Sequence, residues 1–142
     1  MSMKARRSVE KCFIELVTIM ARLRGPDGCP WDKKQNHRSL LPYLFSEARE
    51  VRQAIRKEDW KNLEEELGDI LLQVVFHSQV AQENGRFDIS GVITGISEKL
   101  KRRHPHVFGG KKLTTPGQVK RQWEKIKRLE KKGKTSLSRT KK

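Results

Sequence analysis

The chain has 142 residues and a mass of 16.6 kDa, a length that fits one domain with a modest core. Lys and Arg number 32 against 17 Asp and Glu, a formal charge of +15 at 35% hydrophobic residues. No run approaches the roughly 18 apolar residues of a spanning helix. The start, MSMKARRSVEKCF, has no apolar signal core, and Cys12 and Cys29 are too few for a disulfide framework or a four-ligand zinc site. Membrane attachment is therefore not expected, and a reducing cytoplasm is the default compartment.

Apolar residues recur at three- and four-residue steps along most of the chain, and strand alternation is nearly absent. The spacing of Val9, Phe13, Leu16, Val17, Met20 and Leu23 predicts a first helix over about 8–23. The turn-rich RGPDGCP (24–30) stops it. A second helix is expected over about 39–57, with Leu40, Leu44, Ala48, Val51 and Ile55 inward and Pro42 near its start, where a missing N–H is tolerated. A third follows over about 60–84, with Asp59 as N-cap and Gly85 as its stop. Leu63, Leu67, Ile70, Leu71, Val74, Val75 and Phe76 cover more than one of its faces, as in a central helix. The short linker makes the second and third helices antiparallel neighbours.

A fourth helix is expected over about 90–103, ended by Pro105, with Val92, Ile93, Ile96 and Leu100 inward. The last begins at Thr115–Pro116, where Thr115 and Gln118 form a capping box. Residues 131–142 are polar and basic and read as a disordered tail beyond a domain of residues 1–130. The expected fold is all-α, a bundle of four to five helices. The third helix carries more apolar surface than so small a domain can cover, so completion by a homodimer or higher oligomer is expected.

Charge is unevenly placed. Residues 120–142 hold 11 basic and 2 acidic side chains, residues 99–112 hold six basic and no acidic ones, and residues 45–70 hold 8 acidic against 5 basic. Two readings follow. Basic flanks attract polyanions, including nucleic acid through the tail; alternatively, a basic rim around an acidic site holds a phosphate ester over a bound cation.

Two acidic pairs stand out: Glu47 with Glu50 on the second helix and Glu66 with Asp69 on the third. Residues three apart share a helix face, and at about 100° per residue each pair lies at the edge of its apolar stripe. An antiparallel hairpin can bring the pairs together. Oxygen-only ligands suit a hard cation, Mg²⁺ with Mn²⁺ as the alternative. A di-iron bundle uses similar spacing but needs Glu-x-x-His on two helices, which neither pair provides. His77 reads as a packing or surface histidine, and His104-Pro105-His106 as a helix end. For a phosphate ligand the candidates are Lys99 with Arg103 and Trp123 with Lys127, each four apart on one face. Trp31 or Trp123 could stack on a base. No Walker loop, GxGxxG, CxxC or HExxH is present.

Four stretches carry a resemblance: GCPWDKKQNHRSLLPYLFSEAREV (28–51), NLEEELGDILLQVVFHSQVAQENGRFD (62–88), ISEKLKRRHPHVFG (96–109) and QWEKIK (122–127). In this order the chain resembles the MazG family of nucleoside triphosphate pyrophosphohydrolases. The resemblance implies an all-α domain working as a dimer or higher oligomer. It implies Mg²⁺-dependent attack of water on the α-phosphoryl group of a nucleoside triphosphate, giving the monophosphate and pyrophosphate. The family's metal carboxylates fall on Glu47, Glu50, Glu66 and Asp69, its phosphate-side basic residues on Lys99, Arg103 and Lys127, and its aromatic in the last helix on Trp123. The chain departs from the family pattern at Ser46-Glu47-Ala48-Arg49-Glu50, where Glu-Glu-Ala-Tyr-Glu is usual: one carboxylate fewer and one positive charge more. Many family members also carry two such domains. The rival reading is a basic helical nucleic-acid-binding protein, or one that binds nucleotides without turnover.

Overall fold

The structure, a computed structural model, describes the backbone of residues 3–140 and the side chains of residues 8–133. It is all-α, with helices α1 (Met3–Leu23), α2 (Pro30–Lys34), α3 (His37–Arg56), α4 (Trp60–Glu83), α5 (Ile89–Arg103), α6 (Pro105–Phe108) and α7 (Pro116–Thr140), and no strand among the described residues. The five long helices are those expected from periodicity. The two single-turn helices were hidden in segments that read as turns, because each opens on a proline whose fixed φ suits a first helical turn. Among the described residues no helix is long and apolar enough to cross a membrane.

The chain falls into two compact units that divide between Ser90 and Gly91. In the first unit α4 is the central element: α3 packs along it, and α1 packs against it as well. Met20, Leu40, Val75, Phe76 and Val80 form the buried core, with Leu16, Val17, Leu23, Leu72 and Ile89 against it. The core is thus narrower than the sequence stripes. Leu67, Leu71 and Val74 of α4 are exposed, as are Leu41, Phe45 and Ile55 of α3.

Local chemistry sets the helix ends. The Asp59 side chain accepts from the Asn62 N–H at 3.2 Å and caps α4. Gly85, at φ +68°, turns the chain away after α4, and the Arg86 N–H closes on the Ala81 carbonyl. At α7 the Gln118 N–H donates to Thr115 Oγ1 and the Thr115 N–H to Gln118 Oε1, both at 3.3 Å, the reciprocal capping box that the sequence predicts.

The start of α3 differs from expectation. Asn36 Oδ1 accepts from the Ser39 N–H while Ser39 Oγ accepts from the Asn36 N–H, both at 2.9 Å, so the helix begins at His37. Pro42 then lies inside α3, where it gives up one backbone hydrogen bond. Residues 57–59 join α3 to α4, with Glu58 in the left-handed region at φ 52°. In the loop after α1, a Cβ on Gly28 would sit 2.0 Å from the Leu23 carbonyl oxygen, so only glycine fits against that helix end. The basic segment 131–142 enters α7 as far as Thr140, and most of its side chains lie outside the described residues.

Candidate active site

The antiparallel contact of α3 and α4 brings the two acidic pairs together. Glu47 and Glu50 stand one turn apart on α3, Glu66 and Asp69 one turn apart on α4. Each offers a carboxylate oxygen, and these four atoms all lie within 4.8 Å of one another. Glu66 is 9% exposed, Glu47 and Asp69 are half-buried, and Glu50 faces solvent.

Four negative charges at this separation, partly withdrawn from water, favour protonation. The Glu66 carboxyl is pushed up to about 7, first by a hydrogen bond with Glu50 and then by burial and by repulsion from Glu50, Asp69 and Glu47. Glu47 is raised by burial and by the charges of Asp69 and Glu50. Oε2 of Glu47 and Oε2 of Glu66 are shielded from solvent and have no hydrogen-bond partner. Among the described residues the ion pairs lie elsewhere, at Glu83 and Glu130. Buried carboxylate oxygens without donors are costly. A set of oxygen donors left without protein cations fits a hard divalent ion such as Mg²⁺ or Mn²⁺.

The other sequence candidates divide by unit. In the first unit Trp31 is half exposed on α2 and meets Tyr43 edge-on, with ring centroids 5.7 Å apart; Tyr43 stands one turn before Glu47 on α3. His77 packs partly buried against His37. Their rings are parallel within 2°, and the two Nδ1 atoms lie 2.8 Å apart. Burial, then the neighbouring His37, pulls the His77 pKa down. The packing role read for His77 holds.

In the second unit Lys127 Nζ lies 5.5 Å over the Trp123 ring, a cation–π contact. His104 meets the indole edge-on at 5.3 Å, and Trp123 Nε1 is shielded without a partner. Lys99 is half-buried one turn before Arg103. Arg103 donates from Nη2 to Glu130 Oε2 at 2.9 Å, and Arg102 from Nε to Glu130 Oε1 at 2.8 Å. The two guanidinium groups hold the Glu130 carboxyl at about 2. A cavity of about 340 Å³ is lined by Arg103, Glu124, Lys127, Arg128, Glu130 and Lys131. Arg103 and Lys127 are thus brought to one cavity, whereas Lys99 does not line it. Glu130 and Arg102 are absent from the sequence-derived set. The signal that could have found Glu130 is its place as one of only two acids among the eleven basic residues of 120–142.

Residues 35–108, more than half of the chain, match the model of the MazG nucleotide pyrophosphohydrolase domain. That span contains all four clustered acids together with Lys99 and Arg103, and leaves out Trp31, Trp123 and Lys127. The nucleoside triphosphate pyrophosphohydrolase/pyrophosphatase MazG of Thermotoga maritima is 54% identical over 127 residues, which cover 89% of this chain and 48% of that protein. A nucleoside triphosphate pyrophosphohydrolase of Escherichia coli K12 is 51% identical over 113 residues, covering 79% of this chain and 43% of that one. The crystal structure of a MazG-related protein from Thermotoga maritima superposes with a TM-score of 0.67 at 35% identity, covering 80% of this chain and 97% of that one. The chain therefore spans about half the length of these two curated relatives but nearly all of the solved one. A four-acid helical hairpin, a family model matched across it and a solved relative covered almost end to end place the chain in the MazG nucleotide pyrophosphohydrolase domain family.

Proposed function

We propose that the chain hydrolyses nucleoside triphosphates to the monophosphate and pyrophosphate with the help of a divalent cation. The observation that carries this reading is the convergence of Glu47, Glu50, Glu66 and Asp69 within 4.8 Å, with two shielded and unpartnered oxygens among them. Family membership supplies the reaction class, and the relatives' names supply the substrate class.

These four acids would hold the cation. Mg²⁺, or Mn²⁺ in its place, supplies charge neutralisation for the triphosphate oxygens when bound. One of the four carboxylates accepts a proton from the attacking water. The water oxygen forms the new bond to the α-phosphorus, the bond from that phosphorus to the bridging oxygen breaks, and pyrophosphate leaves. Lys99, Arg103 and Lys127, of the same chain or of a second copy, bind and orient the phosphate chain as paired or point cations. Trp123, with its indole face under Lys127, or Trp31 is the surface on which the base stacks.

A second copy of the chain is part of the proposal. Leu41, Phe45 and Ile55 on α3, and Leu67, Leu71 and Val74 on α4, leave apolar surface that the described residues do not cover; Phe45 is 60% exposed. The rival, a nucleic-acid-binding helical protein with residues 131–142 as its contact, accounts for the +15 charge but not for the clustered acids. The test is a panel of canonical and modified nucleoside triphosphates with Mg²⁺, scored separately for pyrophosphate and orthophosphate, with and without EDTA. Pyrophosphate formation that EDTA abolishes supports the reading. Orthophosphate as the product, or no metal dependence, overturns it. Deleting residues 131–142 separates the rival, because nucleic-acid affinity collapses while hydrolysis survives.

A further inference from the structure

Glu130 occupies the guanidinium that the phosphate chain needs. Its two carboxylate oxygens accept from Arg103 Nη2 and Arg102 Nε, so both are engaged. Carboxylate and phosphate present paired oxygens to an Arg fork in the same way. Arg103 and Glu130 are each 18% exposed, whereas Arg102 is 53% exposed, so the Arg103 contact is the shielded one. Arg103 Nε is inaccessible to solvent and has no acceptor, so the guanidinium has donor capacity that this arrangement leaves unused. Around the 340 Å³ cavity Glu130 stands with four cations, Arg103, Lys127, Arg128 and Lys131, and one further acid, Glu124.

We propose that Glu130 is an internal stand-in for the polyphosphate: it holds Arg103 when no anion is bound, and the incoming phosphate chain displaces it. This rests on the reading of Arg103 as a phosphate-binding residue given above. Glu130 would then be a positioning residue that acts through Arg103. Its single charge loses the competition against a polyphosphate carrying several, yet each binding event must break the pair. The consequence is weaker retention of both triphosphate and pyrophosphate, and faster departure of the product. A pair that only fastens α5 to α7 would give the opposite sign, because its loss would loosen Arg103 and weaken binding.

The experiment is calorimetric titration of the full chain with inorganic pyrophosphate for wild type, Glu130→Gln, Arg103→Ala and the double variant, at fixed ionic strength. Glu130→Gln is expected to tighten pyrophosphate binding about fivefold, the value of one exposed-to-half-buried ion pair, and to lower KM. Arg103→Ala is expected to weaken binding, and adding Glu130→Gln to it should change little. A loss or no change of affinity in Glu130→Gln overturns the proposal. So does an equal gain without Arg103, which would be a general charge effect. Circular dichroism checks the fold, and Glu130→Ala replaces the glutamine variant if that one does not fold; if neither folds, the pair is a fastener and the proposal falls. Hydrolysis is assayed in parallel. Shifted affinities without turnover would overturn the proposed activity alone, and turnover without shifted affinities would overturn only the role of Glu130.

Discussion

Arg24, just past the end of α1, closes on Glu83 at the end of α4 through two hydrogen bonds, Nε to Oε2 at 2.8 Å and Nη2 to Oε1 at 3.0 Å. Its remaining Nη1 donates to the carbonyls of Asp32 and Gln35, and its guanidinium lies 5.7 Å over the Phe76 ring. One side chain, 8% exposed, thus ties together the C-terminal end of α2, the core and the end of the central helix. Removing it takes a donor from four acceptor oxygens and opens the edge of the core, so Arg24→Ala should cost about 3 kcal/mol. Glu83 is 37% exposed, and Glu83→Gln should cost less than about 1 kcal/mol. Urea unfolding of the two variants checks the asymmetry; similar losses would contradict it.

The acidic cluster makes a prediction about turnover that is separable from folding. Glu50→Gln and Asp69→Asn keep the size and helical setting of the side chains but remove a charge from the cation site. Pyrophosphate release should fall by at least about 100-fold, with far-ultraviolet circular dichroism unchanged. Wild-type rates in both variants would remove these residues from the mechanism.

Cation binding at the cluster should depend on pH near neutrality. The Glu66 carboxyl is raised to about 7 from 4.5 in the folded chain. Without a cation its contribution to stability is present below pH 4.5 and is lost as pH rises through 7, because only the folded state holds the proton between those values. A divalent ion needs the deprotonated form, so its affinity moves the other way and weakens by up to about tenfold per unit as pH falls below 7. Titrations with Mn²⁺ at pH 6 and pH 8, in buffers of different ionisation enthalpy, should show weaker binding and larger proton release at pH 6 than at pH 8. Affinity that does not change with pH would be the contrary result.

The histidine pair gives stability a slope of opposite sign. At 2.8 Å between Nδ1 atoms, one ring must donate and the other accept. The His77 pKa is lowered below 6.5 by burial and then by His37. The unfolded chain therefore binds the proton more readily, and the stability held above pH 6.5 is lost as pH falls through the window below it. The drop in Tm between pH 7.5 and pH 5.5 should be smaller in His77→Gln than in wild type. An equal drop in both would show that the pair does not titrate in this range.

Much of this organisation is written in local pattern. Asp59, the Thr115–Gln118 box and Gly85 set helix ends through neighbours three to five residues away, and such spacing is visible in a sequence. The acidic pairs were legible for the same reason, since a helix puts residues three apart on one face. The relationships that were missed join distant residues: Arg24 to Glu83 across 59 positions, His37 to His77 across 40, and Arg103 to Glu130 across 27. Nothing local distinguishes these side chains from the many other charged residues of so basic a chain. The start of α3 lies two residues earlier than the apolar periodicity predicts, because Asn36 looks like an ordinary polar loop residue until its reciprocal hydrogen bonds with Ser39 are seen. Leu67 and Val74 lie on the predicted stripe yet face outward, because hydrophobic periodicity names a face without naming what covers it.

The left-handed Glu58 in the joint at residues 57–59 acts as a calliper for everything above it. That joint fixes how far α4 has rotated when it first passes α3. One added residue would advance its phase by about 100°, swinging Glu66 and Asp69 off the meeting line while each helix kept its own caps. Changes of length at this corner would thus disarm the chemistry of the hairpin while leaving its helices intact, and natural variation in this fold should find the corner among its least elastic points.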